Sequence, residues 1–185
     1  MKIYTIKIAL HGVSPMVWRR IKLAGTTSLA DLHNIIQLSN GWDDDYLNRF
    51  HIYGKDYGVY HDGGMNFSDD AHSVYLDDFG FDGGDRFFYE YNFFEHWLVD
   101  IRVEEVNESL IPVLQPCCTK GNGMPGASKY DAFEPTMNLL QAIAKADSTT
   151  TFGDIRPFVE ALNAVKFNRH YLNKQLKTGE IAHPE

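Results

Sequence analysis

Apolar and polar positions alternate at the start of the chain. Tyr4, Ile6, Ile8 and Leu10 interleave with Ile3, Thr5, Lys7 and Ala9, the period-two pattern of a strand with one apolar face. The turn cluster His11-Gly12-Val13-Ser14-Pro15 follows, and then Val17, Arg19, Ile21 and Leu23 alternate with Trp18, Arg20 and Lys22. Residues 2–24 therefore predict an antiparallel hairpin. The period changes at Ser28. Leu29, Leu32, Ile35 and Ile36 fall at helical spacing, Ser28 to Asp31 reads as a capping box, and Gly41 stops the pattern. Together they predict a helix over 28–39.

Beyond the helix, Phe50–Tyr53 and Tyr57–Tyr60 read as short strands split by Gly54. The stretch from His61 to Asp85 is rich in glycine and aspartate and reads as irregular chain, with a short strand at Val74–Leu76. Aromatic and β-branched density returns at 86–91 and 97–106, which predicts two central strands. Two strands, a helix and further strands predict an α+β fold with a β-grasp-like mixed sheet, occupying 1–112. Residues 113–135 read as a loop or linker, since Gly121, Gly123, Pro125, Gly126 and Pro135 punctuate them. Apolar faces at Met137, Leu140, Ile143 and Ala144, at Ile155, Phe158, Val159, Leu162 and Val165, and at Leu172 and Leu176 predict helices over 136–185. That segment is too small to hold a core alone, so it is expected to dock on the sheet.

Composition narrows the classes. With 185 residues, 44% hydrophobic and 23% charged, the chain has enough material for a packed core, which excludes wholesale disorder. No apolar run approaches the roughly 18 residues that span a membrane, and the alternating N-terminus lacks a signal-peptide stretch. A cytoplasmic protein is the expectation. The net charge of −8 is unevenly spread, +4 over 1–42, −13 over 43–108 and +1 over 109–185. Such a field repels nucleic acid and argues against a general phosphate-backbone binder. Lys166, His170, Lys174 and Lys177 nevertheless make one face of the last helix basic, a solvated face or one able to meet the acidic 43–108 surface.

Catalytic chemistry is thinly represented. Cys117 and Cys118 are adjacent and form neither a disulfide framework nor a zinc cage. Eight histidines never recur at i, i+2 or i, i+4, and no HExxH or GxSxG is present. Asp78-Phe79-Gly80 spells a kinase triplet without the glycine-rich loop that would give it meaning. The residues thus name no catalytic group, no metal ligand set and no cofactor.

Three stretches carry a family likeness. Pro15-Met16-Val17-Trp18-Arg19-Arg20-Ile21, Leu29-Ala30-Asp31-Leu32-His33-Asn34-Ile35-Ile36-Gln37, and Gly41-Trp42-Asp43 with Leu47 and Phe50 resemble the plasmid pRiA4b ORF-3-like family. Its Tyr-Asp-Phe-Gly-Asp-x-Trp-x-His motif is similar to Tyr91-Asn92-Phe93-Phe94-Glu95-His96-Trp97-Leu98-Val99, with Asn92, Phe94 and Val99 departing and Tyr46 in place of a usual histidine. Over roughly the first two-thirds of the chain the resemblance implies an α+β fold and an association with plasmids and insertion elements, and no activity. The departures remove Asp and His groups that a polar cluster would use.

The reading preferred is a non-enzymatic binding or accessory module of mobile elements. Its candidate binding residues are Tyr46, His51, His61, Asp62, Tyr91, Glu95 and Trp97, with Trp18, Trp42, Leu32 and Ile36 structural. The partner is a protein or small molecule, and self-association stays open. The alternative is a metal-dependent or hydrolase-like enzyme, which requires His51, His61, Asp62 and Glu95 from the 43–100 region to converge.

Overall fold

The computed structural model describes residues 1–13, 16–58, 67, 69–111, 115–123 and 167–179. Within them lie β1 (Lys2–Leu10), β2 (Trp18–Ala24), α1 (Leu29–Asn40), β3 (Asn48–Ile52), β4 (Lys55–Tyr57), β5 (Arg86–Tyr91), β6 (Trp97–Glu108), β7 (Cys117–Asn122) and α2 (Arg169–Thr178). The strands form one seven-stranded sheet in the order β4-β3-β5-β6-β1-β2-β7. The protein is α+β, with both helices on one face of that sheet.

Among the described residues the sheet is antiparallel rather than mixed. Every strand ladder among the described residues is antiparallel, including the central β1–β6 pair. The reason is chain direction. The tight Asn92–His96 turn folds β6 back against β5, so β6 reaches β1 running the opposite way. Among the described residues no long crossover delivers a parallel neighbour.

Alternation decides which face is core. Tyr4, Ile6, Ile8 and Leu10 of β1 join Ile21 and Leu23 of β2, Phe87, Tyr89 and Tyr91 of β5, and Val99, Ile101 and Val103 of β6 beneath Leu29, Leu32 and Ile36 of α1. Helix α1 starts at the expected capping box, where Asp31 N–H donates to Ser28 Oγ at 3.0 Å and Ser28 N–H to Asp31 Oδ2 at 3.3 Å. Gly41, at φ 64°, closes it in a left-handed cap that side chains with a Cβ adopt at a cost. In place of the strand expected at Val74–Leu76, the chain makes a 3-10 turn at Leu76–Phe79. Its Asp77 accepts the Tyr4 hydroxyl at 3.1 Å, and burial, aided by that bond, raises the Tyr4 phenol.

Strand β7 lies inside the stretch read as loop. Its burial rests on Cys118, the one deeply buried member of a polar run, so apolar alternation gave no sign of it. Opposite it, Arg19 points into the core face at 1% exposure. Its Nη1 donates to the carbonyls of Trp18 at 2.9 Å and Asn122 at 2.8 Å, and the Phe167 ring stacks on the guanidinium at 3.9 Å. Burial lowers its pKa to about 10. Gly121 is required here, since an added Cβ would lie 2.5 Å from the Phe167 ring and 2.9 Å from Arg19 Cδ.

Helix α2 buries Leu172 and Leu176 against β7 and α1, and Asn168 caps it by accepting Tyr171 N–H at 3.1 Å. Asn173 meets the outer edge of β7 with both ends of its amide. Cys118 N–H donates to Asn173 Oδ1 at 2.7 Å, and Asn173 Nδ2 donates to Cys118 C=O at 2.9 Å. The helical faces expected over 136–165 lie outside the described residues.

The opposite sheet face is charged. A β-bulge on β6 inserts Glu104 between the residues facing Thr5 and Ile6, which aims its carboxylate across β1 at Arg20 on β2. Trp18 stands on this face, half-buried, with Lys7 and Arg20 about its ring at 5.0 and 5.4 Å.

Candidate functional site

The end of the sheet where α1 stops and β5 turns into β6 gathers most of the unusual features. Gly41 reverses the chain, Trp42 N–H donates to Gln37 C=O at 3.0 Å, and the indole lands on the sheet. There it stacks on Tyr91 at 4.9 Å and leans on Trp97 at 5.4 Å, while Tyr46 meets Tyr91 edge-on at 5.9 Å. Trp42, Tyr91 and Trp97 are buried and Tyr46 is 48% exposed. Trp97 Nε1 donates to Glu95 Oε2 at 3.1 Å. Burial pushes the Tyr91 phenol up to about 12, against the pull of the Asp45 and Tyr46 backbone groups bonded to it.

Two turns frame these rings. Asp44 sits at φ 59°, Asn92 at 51° and His96 at 51°, a left-handed backbone that such residues adopt at a small cost when neighbours hold them there. Asn92 does the holding in the second turn. Its Oδ1 accepts Phe94 and Glu95 N–H at 3.3 and 3.4 Å, and its C=O accepts Glu95 and His96 N–H at 3.0 and 2.8 Å. Asn92 N–H in turn donates to Leu47 C=O at 3.0 Å, which ties the two turns together.

Asp44 also ends a buried polar chain. Gln37 Nε2 donates to Tyr89 Oη at 2.8 Å, Tyr89 Oη lies 2.7 Å from His33 Nδ1, and His33 Nε2 lies 2.8 Å from Asp44 Oδ1. With the histidine proton on Nε2, each of these three contacts pairs one donor with one acceptor. Burial drives the Tyr89 phenol well above its ordinary value, partly offset by the Gln37 bond. His33, Gln37 and Tyr89 are buried, and the Asp44 side chain is 31% exposed. The chain thus meets solvent at a carboxylate and ends inward on a phenol and an amide.

His51 lies elsewhere, on the charged sheet face. Its Nδ1 is 2.7 Å from Asp56 Oδ1, Arg49 spans Asp56 at 3.2 Å and Glu90 at 2.7 Å, and His96 Nδ1 meets Glu90 at 3.0 Å. Burial pushes the Glu90 carboxyl up, but the His96 and Arg49 hydrogen bonds outweigh it and hold the group below its usual range.

Of the residues expected to bind, Tyr46, Tyr91, Glu95 and Trp97 come together, His51 joins a separate ion-pair network, and His61 and Asp62 lie outside the described residues. The convergence needed for the hydrolytic alternative is not made by His51 and Glu95, which engage Asp56 and Trp97 respectively. Val99 is a core residue. Sequence reasoning missed the His33–Asp44–Tyr89–Gln37 chain. The available sign was the spacing, since His33 and Gln37 follow Leu29 at i+4 and i+8 and so fall on the buried stripe. Among the described residues no group of three or more His, Cys, Asp or Glu is placed to hold a metal ion, and no helix is long and apolar enough to cross a membrane.

These features define a two-layer α+β protein with a largely buried polar chain behind an exposed aromatic tip. The chain belongs to the plasmid pRiA4b ORF-3-like protein family, whose model matches residues 2–174; the likeness thus extends well past the first two-thirds. A curated relative, the uncharacterized protein y4hQ of Sinorhizobium fredii (strain NBRC 101917 / NGR234), is 30% identical over 100 residues, 54% of this chain and 52% of that protein. The match therefore spans about half the length of that relative. A crystal structure of a protein of unknown function, MM3350 from Methanosarcina mazei Go1, is similar in fold at a TM-score of 0.65 and 22% identity, covering 92% of this chain and 97% of the other.

Proposed function

We propose that this chain is a non-enzymatic binding module, an accessory protein of mobile elements, which meets its partner through the tip formed by the 42–47 loop and the 92–96 turn. Phe94 carries the reading. It is 93% exposed, beside Tyr46 at 48% and Leu47 at 37%, on a turn fixed by the Asn92 hydrogen bonds. An apolar ring carried into water on a hydrogen-bonded turn, rimmed by Asp43, Asp44, Asp45 and Glu95, fits a recognition surface better than a fraying loop. Tyr91, stacked on Trp42, meets the Tyr46 ring from below. The buried polar chain favours the same reading, because its inner end is a sealed phenol rather than a group that reaches a substrate. The link to mobile elements rests on the plasmid named in the family's description.

The test compares wild type with a Phe94→Ser/Tyr46→Ser variant, both immobilised, against an extract of the source cells. Exposed substitutions shift stability by only about 0.5 kcal/mol each, so the variant should melt within a few degrees of wild type. A partner retained by wild type and lost at least about tenfold by the variant, equivalent to about 1.4 kcal/mol, supports the tip. Equal retention of every bound species refutes it.

A further inference from the structure

The two ends of the sheet differ in charge. Acidic groups crowd the β3–β5 side, whereas α2 brings basic side chains to the β7 side. Four strand spacings of about 4.8 Å each separate β5 from β7, so the α2 stripe lies well away from the acidic β3–β5 surface of its own chain.

Between α2 and the start of β7 opens a groove of about 390 Å³, whose walls include Gln115, Cys117, His170, Asn173, Lys174 and Lys177. His170, Lys174 and Lys177 recur at i, i+4 and i+7 and share one helical face. None of the three is ion-paired with a carboxylate among the described residues. A basic stripe on a helix is usually just solvated, and two observations separate this one from that case. The stripe lines a concavity, where low-dielectric walls concentrate its field. The helix is also prevented from rolling, since Asn173 grips Cys118 with both amide atoms and Arg169 Nη1 donates to Thr119 C=O at 3.0 Å. The helix that carries the cations is therefore fixed beside the groove, so a ligand has only their side chains left to order.

We propose that this groove is a binding site for a small oxyanion carrying two or more negative charges. Lys174 and Lys177 supply the ammonium groups, His170 and the Gln115 amide add donors, and the volume suits a ligand of pyrophosphate or citrate size. Its chemistry is opposite to that of the acidic tip, so the two sites are tested independently.

Cys117 is an exposed thiol on the groove wall, and Cys118 is buried, which provides a reporter in the intact chain. The rate of Cys117 modification is measured with a doubly anionic aromatic disulfide and with a neutral dipyridyl disulfide. The anionic-to-neutral rate ratio should fall about threefold or more in Lys174→Gln/Lys177→Gln, and should fall in wild type as salt is raised. Millimolar pyrophosphate or citrate should slow modification of wild type but not of the variant. Protection by pyrophosphate alone assigns a phosphate ligand, and protection by citrate alone a carboxylate one. Lys55→Gln, on the far edge strand, matches the net charge of each single variant, Lys174→Gln and Lys177→Gln, and an unchanged neutral-reagent rate certifies that α2 is still seated. If the double variant fails that check, the single Lys174→Gln and Lys177→Gln proteins replace it. An equal ratio in wild type and variant, an equal drop in Lys55→Gln, or no protection by either anion overturns the proposal.

Discussion

Tyr89→Phe isolates the buried polar chain, because it removes one oxygen and preserves the ring. That oxygen accepts from Gln37 Nε2 at 2.8 Å and faces His33 Nδ1 at 2.7 Å, with all three side chains buried. Two hydrogen bonds are lost, each worth about 0.5–1.5 kcal/mol net, and the Gln37 N–H and His33 Nδ1 are stranded away from water. The expected destabilisation is about 2–4 kcal/mol, large against a typical total of about 5–15 kcal/mol. Gln37→Leu should cost less, about 1 kcal/mol, because Gln37 Oε1 has no hydrogen-bond partner among the described residues and an apolar group of similar shape removes that orphan. In the double variant the stranded amide is gone, so the combined loss should fall short of the sum by about 1 kcal/mol or more. Urea unfolding of the four proteins gives these values directly, provided the slope m stays constant. A Tyr89→Phe loss under about 0.5 kcal/mol, or strict additivity, would show that the chain is not a connected network.

Other perturbations follow from the same geometry. Gly121→Ala should destabilise by about 1–3 kcal/mol and speed amide exchange in α2, because its methyl collides with Phe167 and Arg19; exchange rates equal to wild type would contradict that packing. Asn92→Ala removes the acceptor that holds the tip turn and places alanine at φ 51°, a combined cost of about 2–3 kcal/mol by thermal or urea denaturation. The Arg20 hydrogen bonds hold the Glu104 carboxyl below its ordinary 4.5, so this stabilisation is complete above that value and fades as pH falls through the lower folded one; Arg20→Gln should flatten the acid limb of a melting-temperature profile. Tyr89 and Tyr91 shift the other way, so their contribution holds below pH 10 and is lost as pH rises toward 12 and beyond. Phenolate absorbance from these two rings should therefore appear together with unfolding, and its appearance in the folded protein would count against their burial.

What could be read in advance was what repeats locally. The hairpin, the capped helix α1, β5, β6 and the last helix all announce themselves through period or punctuation. Strand β7 does not, because its place in the sheet depends on Ile21, Arg19 and Phe167, all remote in sequence. Trp18 looks like a core residue by type, yet the alternation that puts Arg19 inward sends it outward. In the candidate site, Tyr91, Glu95 and Trp97 were legible because they sit on one short turn. Asp44 was not, since its approach to His33 needs a left-handed residue just past a helix cap and a tyrosine 56 positions away. His51 stands out in the sequence by residue type alone, and its partner Asp56 comes from hairpin register.

The Asn173 amide has a bearing on synthesis. A side-chain amide carries the same donor and acceptor as a peptide unit, and here it occupies the place where another strand would pair with Cys118. Growth of the sheet past β7 is thereby stopped by a group that leaves the ribosome some fifty-five residues after the strand it protects. Until then the nascent sheet presents an open edge of the kind that recruits other chains. Any product that ends before residue 173 lacks this block, so early termination is expected to yield stickier fragments rather than merely shorter ones.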